Sequence, residues 1–237
     1  MNFGQRLIGV FTNPRETFSF LAEKPVWVDA LILVLVAVFA FNFLIAPYSA
    51  KDNYEMLQGS TKLKQQLGEE RFNTMLEQSR QKAEHLTPAA RITQSLLGSA
   101  SIIIILLLQT LLLMILSKFF STQGNYKQLL SAMFHASFIN LLLGNALRAF
   151  LASSKQSIFK VSTGLAVFLP NLEPTSTPYI ILTSIDIFQL WMFGVLGYAI
   201  SAIFKLDLKK SLFISYLFWV LKTIVNIAIG IFSLSRI

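Results

Sequence analysis

Residues 92–117, ITQSLLGSASIIIILLLQTLLLMILS, run 26 positions without a formal charge between Arg91 and Lys118. A bilayer hydrocarbon core about 30 Å thick is crossed by about 20 apolar residues in helical form, so this stretch predicts a membrane span. The bilayer is then the solvent against which every other residue is judged.

Four further stretches of similar length repeat the signal. They are 25–47 (PVWVDALILVLVAVFAFNFLIAP), 127–150 (KQLLSAMFHASFINLLLGNALRAF), 179–204 (YIILTSIDIFQLWMFGVLGYAISAIF) and 211–234 (SLFISYLFWVLKTIVNIAIGIFSL). The first is bracketed by Pro25 and Pro47, with Trp27 and Tyr48 near its ends, where interfacial aromatics belong. The third is the most polar. The expected fold is all-α: a polytopic membrane protein with five transmembrane helices in one bundle. Composition agrees, with 54% hydrophobic and 14% charged residues and a mean hydropathy of +0.60. Cysteine is absent, which excludes disulfides, thiolate metal sites and cysteine nucleophiles. The net charge of +8 is scattered over short loops, a pattern that suits anionic lipid headgroups and predicts no nucleic-acid partner.

Loop charge predicts the orientation. The short segments 1–24, 118–127 and 205–210 hold Arg6, Arg15, Lys24, Lys118, Lys127, Lys205, Lys209 and Lys210. Basic residues in short loops mark the cytoplasmic side, so the N-terminus is expected there and the C-terminal Ser-Arg-Ile outside. Residues 48–91 form the one sizeable polar insert. Leu63, Leu67, Phe72, Met75 and Leu76 recur at helical spacing, and Gly59 and Gly68 divide the insert into two short helices. An extracytoplasmic helical hairpin between helices 1 and 2 is expected, either lying over the outer face or offering a docking surface. Thr87-Pro88 reads as an N-cap with proline at the first helical position.

Residues 1–24 carry no apolar signal-peptide core. Asn13 caps a helix opened by Pro14, with Glu16 third; Phe18, Leu21 and Ala22 share a face, and Phe3, Leu7, Ile8 and Phe11 supply an earlier apolar set. The reading is a cytoplasmic amphipathic segment on the membrane surface, followed by a membrane domain over 25–237.

Polar groups inside spans are the candidate functional residues, because an ionisable group in the bilayer is costly and turns toward the bundle interior. Asp186 and Lys222 lie at depths that make a buried pair feasible. Ser215, Lys222, Asn226 and Ser233 form one stripe on the fifth span. On the third, Ser137, Asn140, Gly144 and Arg148 share a face, and Ser131, His135 and Asn145 share another. The candidate network is therefore Asp186, Lys222, Asn226, His135, Asn140, Asn145 and Arg148. It either hydrogen-bonds helices together or forms a proton or ion relay or a headgroup groove. Gly194, Gly197 and Ser201 read as a close-packing seam on the fourth span. His135 has no second His or Cys nearby, so no metal is expected. Phosphate loops, HExxH and GxSxG are all missing, which predicts neither enzyme activity nor a cofactor.

The run Asn13-Pro14-Arg15-Glu16-Thr17-Phe18, then Glu23-Lys24-Pro25-Val26-Trp27, resembles the N-terminal signature of bacterial Yip-domain proteins. Asp186-Ile187-Phe188-Gln189-Leu190-Trp191, followed by Gly194 and Gly197, is similar to that family's fourth-helix pattern. Five spans, an extended first loop and a cytosolic N-terminus also match, so the resemblance covers essentially the whole chain. Eukaryotic relatives are Golgi and endoplasmic-reticulum proteins that bind prenylated Rab-type GTPases. Their Asp-Leu-Tyr-Gly-Pro motif is missing here, and GTPase binding is not carried over. The resemblance implies the bacterial cytoplasmic (inner) membrane and association with export machinery. The expected function is a non-enzymatic scaffold or accessory subunit of a membrane transport, export or trafficking complex. Its expected partners are membrane lipids and a membrane protein such as a transporter or export complex, or a second copy of itself. The alternatives are a small transporter, channel or lipid-moving protein using the polar residues of helices 3–5, and membrane shaping by wedge-like helices.

Overall fold

Five helices in a computed structural model are long and apolar enough to cross a membrane: Val28–Gln58, Pro88–Lys118, Tyr126–Lys155, Ile187–Phe204 and Leu208–Ser233. Residues 1–235 are described, and within them the protein is an all-helical integral membrane protein. Of the C-terminal Ser-Arg-Ile, Arg236 and Ile237 lie outside the described residues. In chain order the helices are α1 (Phe3–Thr12), α2 (Pro14–Glu23), α3 (Val28–Gln58), α4 (Thr61–Leu67), α5 (Glu69–Glu84), α6 (Pro88–Lys118), α7 (Tyr126–Ser137), a π-helical segment (Phe138–Gly144), α8 (Asn145–Lys155), α9 (Thr177–Ser184), α10 (Ile187–Phe204) and α11 (Leu208–Ser235).

The third span, built from α7, the π segment and α8, is the centre of the bundle. Its most apolar window is 72% buried, against 17–22% for α3, α6 and α11. This explains its polar composition: a helix that touches protein on most sides has little lipid to satisfy. Phe134, Phe138, Phe193, Phe204 and Leu113 are fully buried around it.

The first span does not end at Pro47 as its sequence suggests; α3 continues to Gln58. Proline at that position deprives the Phe43 carbonyl of its helical donor, which in lipid would be costly. Arg91 of α6 supplies the replacement, donating from Nε to the Phe43 oxygen while its guanidinium lies 3.8 Å over the Phe43 ring. The extension is tied down further along. Asp52 is buried, and its Oδ2 accepts from Ser157 Oγ and from the backbone N–H groups of Ile158 and Phe159, fixing the loop after α8. Arg91→Ala is expected to cost about 1–2 kcal/mol, and clearly less in a Pro47→Ala background, where the helix provides its own N–H. A double-mutant cycle on detergent-solubilised protein measures this. Equal costs in both backgrounds would show that Arg91 does not serve that carbonyl.

Beyond Gln58 the insert turns at Gly59, forms α4 capped by Ser60, turns again at Gly68 (φ +78°), and returns as α5 along α3. Of the insert's apolar residues at helical spacing, only Phe72 is buried. Arg80 bridges Glu77 and Glu84 on the exposed face of α5, and its hydrogen bonds hold the Glu77 carboxyl below its usual range. Thr87 caps α6, accepting from the Ala90 N–H, with Pro88 in the first turn.

The N-terminal segment differs from a peripheral surface element. Asn13 caps α2 over Pro14, but Val10, Phe18 and Leu21 are fully buried in the same core as Phe134 and Phe193, and α2 packs on α10 and α7. Of the apolar set on α1, Ile8 alone stays exposed. Residues 1–24 are thus part of the bundle, because their apolar stripes are wide enough to be buried by protein.

Candidate functional site

The sequence puts Asp186 inside a continuous fourth span, but there the helix is broken. α9 ends at Ser184 and α10 begins at Ile187, with Asp186 extended between them (φ −97°, ψ 133°). The cause is local. Thr183, Ser184 and Ile185 are weak helix formers, while an aspartate three residues before a glutamine is a strong helix start. Asp186 Oδ1 accepts from the N–H groups of Phe188 (2.9 Å) and Gln189 (3.0 Å).

A broken helix leaves backbone groups that the bilayer does not satisfy. Here residues 163–165 fold against the break. Leu165 N–H donates to Ile185 O and Ile187 N–H to Thr163 O, forming an antiparallel bridge between Gly164 and Asp186. Only glycine fits at 164: a Cβ there would fall 2.6 Å from the Thr183 carbonyl oxygen and 2.8 Å from that of Leu182.

The second carboxylate oxygen of Asp186 takes Arg148, whose Nη2 lies 2.8 Å away, and the Thr163 hydroxyl. Arg148 spends its remaining donors on Thr163 Oγ1, Asn140 O, Asn140 Oδ1 and Asn145 Oδ1. All five guanidinium N–H groups are therefore used. The sequence reading groups Asn145 with His135, but Asn145 stands three residues before Arg148 in α8, so the two are neighbours on one helix face. The π segment acts on Asn140: it bonds Asn145 N–H to Asn140 O, five residues back, and turns the Asn140 side toward the Asn145–Arg148 face.

Lys222 pairs with Gln189 rather than with Asp186, donating from Nζ to Gln189 Oε1. It stands beside the Asp186 cluster, one residue removed from it. Asn226 is exposed on the lipid side, and Ser215 instead donates to the Phe193 carbonyl, so the expected α11 stripe divides over three environments. Gly194 and Gly197 line the α10–α11 seam, where a Cβ would meet Tyr216 Oη at 2.9 Å and Leu212 Cδ2 at 2.5 Å. Ser201 instead closes the end of α10, donating to Leu206 O.

His135 belongs to a second cluster that sequence reading missed. Arg6 of α1 is 5% exposed; it pairs with Asp29 of α3, donates from Nε to His135 Nε2 (3.2 Å) and from Nη1 to Met1 O (3.1 Å). His135 Nδ1 lies 2.8 Å from Ser131 O, which together with the Arg6 contact assigns the Nδ1–H tautomer. The neighbouring polar groups face the same junction: Ser131 Oγ donates to Val26 O and Gln128 to Ala22 O. One signal was available for Arg6, a charge between Phe3, Leu7 and Val10 on the apolar face of α1. Asp29 was visible as an acid just inside the first span. Thr163 carried no signal, and Gln189 none as the partner of Lys222.

The two clusters each join several helices. One fixes α1 and α2 to α3 and α7; the other holds α9, α10 and the 156–168 loop to α8. No curated protein and no solved structure matches this chain. The Yip1 domain matches it over residues 8–230, a range that takes in the whole Asp186 cluster, Asp29 and His135 of the second, and the membrane helices up to residue 230. The chain belongs to the Yip1-domain family.

Proposed function

We propose that this protein is a non-enzymatic scaffold or accessory subunit of a membrane transport or trafficking complex. The observation that carries the reading is the saturation of the Asp186–Arg148 cluster. Every guanidinium donor and both carboxylate oxygens are engaged within the chain, which suits a fixed joint better than a group that must bind and release an ion. Surface suited to partners is meanwhile plentiful: α3, α6 and α11 expose long apolar faces, and α4 and α5 project a charged helical insert.

The test is crosslinking in living cells followed by purification in mild detergent, compared between the full chain and a version with residues 61–84 replaced by a short Gly/Ser linker. A stoichiometric membrane partner recovered with the full chain is the expected result, with at least a tenfold loss if the insert docks it. Recovery of the chain by itself in both cases would overturn the proposal.

A second reading is kept alive by one observation. Discontinuous helices beside charged groups are also how transporters build substrate sites. On that reading Asp186→Asn and Lys222→Met abolish flux in liposomes while the protein remains folded; on the accessory reading the wild-type protein shows no flux to lose.

A further inference from the structure

Lys222 is, among the described residues, the one cation at mid-span with no carboxylate within ion-pairing distance. Arg6 has Asp29 and Arg148 has Asp186, and each pair cancels its own charge. The contacts of Lys222 are Gln189, a neutral amide, and the face of Phe193 at 5.7 Å. It lies fourteen residues beyond Leu208 and eleven before Ser233, so about 21 Å and 17 Å from the ends of its span. That is close to the middle of a hydrocarbon core about 30 Å thick.

Lys222 also opens outward. A cleft of about 430 Å³ lies between α6 and α11, lined by Leu112, Ile115 and Val225, with Gln109, Asn226 and Lys222 as its polar groups. Its walls are apolar and its mouth faces lipid. An unpaired charge at mid-depth beside such a cleft is a demand for one more group, of negative sign.

The geometry points to a partner's transmembrane helix, carrying an Asp or Glu near its middle, as the occupant of this cleft. Depth argues against a phospholipid, whose phosphate sits at the membrane surface about 15 Å away. A second copy of this chain does not fit either. Its acids in or beside the spans are Asp186, which is buried and fully bonded, Asp29, which is paired with Arg6 near the end of its helix, and Asp52 and Glu55, which lie on the last turns of α3 beyond Pro47 and far from mid-span. The partner is therefore a different protein, held by a charge pair that the low dielectric makes strong and specific. This rests on the accessory-subunit reading and gives it an address.

A photocrosslinking residue at Val225 tests it in native membranes, with the same residue at Val36 on α3, equally exposed on a different face, as the control. The expected adduct from 225, and not from 36, is a membrane protein with an acidic residue at mid-span. Lys222→Glu should lower its yield at least tenfold. Exchanging the partner's acid for lysine should restore the yield in the Lys222→Glu background only. Lys222→Met, which removes the charge without inverting it, should give an intermediate loss at unchanged monodispersity. An adduct with lipid alone, with a second copy of the chain, or with a protein whose yield ignores the charge at 222 overturns this inference. A partner that crosslinks from α5 but not from 225 overturns the cleft and leaves the accessory reading standing. No partner from any position overturns both.

Discussion

Asp186→Ala is expected to destabilise the protein by about 3–5 kcal/mol, the largest cost expected of any single polar side chain in the bundle. Two contributions add. The carboxylate caps α10, worth about 1 kcal/mol, and it neutralises Arg148, whose guanidinium would otherwise sit partly buried beside polar groups that accept its hydrogen bonds but carry no charge. Asp186→Asn separates them, because an amide oxygen still accepts from Phe188 and Gln189 while the charge is lost. Its cost should be most of the alanine cost. Adding Arg148→Met to Asp186→Asn should return part of it, since the uncompensated charge disappears with the arginine. Heating detergent-solubilised protein and recording the midpoint of loss of monodispersity supplies the comparison. If Asn and wild type melt together, the ion pair contributes nothing and the break is held by its backbone bridge alone.

The same residue shows what the sequence carries and what it hides. Span number follows from apolar length alone, and all five spans are present because the bilayer imposes that length. The break at Ile185 was hidden by the same rule, since hydropathy counts residues and ignores caps. Asp186 followed three places later by Gln189 was legible as a helix start, but the apolar run around it outweighed that signal. The partner of Asp186 was beyond sequence reading for a different reason. Helical spacing puts Asn140 and Asn145 on separate faces, and one π turn aligns Asn140 with the Asn145–Arg148 pair. Pro47 repeats the lesson at the first span. A proline inside a helix stops it only when nothing else satisfies the freed carbonyl, and that depended on Arg91, 44 positions further along the sequence.

Arg6→Ala is expected to cost about 2–3 kcal/mol and to release the N-terminal helices from the bundle. The magnitude is smaller than at Asp186 because Asp29, the charge left behind, is 35% exposed and recovers solvation when its partner leaves, whereas Arg148, the charge left behind by Asp186→Ala, is 19% exposed and recovers less. The consequence is more local. Among the described residues, Arg6 is the only side chain of α1 that bonds both α3 and α7, through Asp29 and His135, and the remaining attachment of α1 is apolar packing by Phe3, Leu7 and Val10. Losing the polar tie should therefore loosen α1 before the rest of the bundle melts. Limited proteolysis reports it: cleavage between α1 and α2, near Thr12-Asn13, should accelerate at least tenfold in Arg6→Ala at a temperature where the five spans remain intact. Arg6→Lys should fall between, because a single ammonium is a poor substitute for a fork that serves Met1, Asp29 and His135 from three nitrogens. Unchanged cleavage in Arg6→Ala would mean that apolar packing alone docks the N-terminus, and that the buried arginine answers some other need of Asp29 and His135.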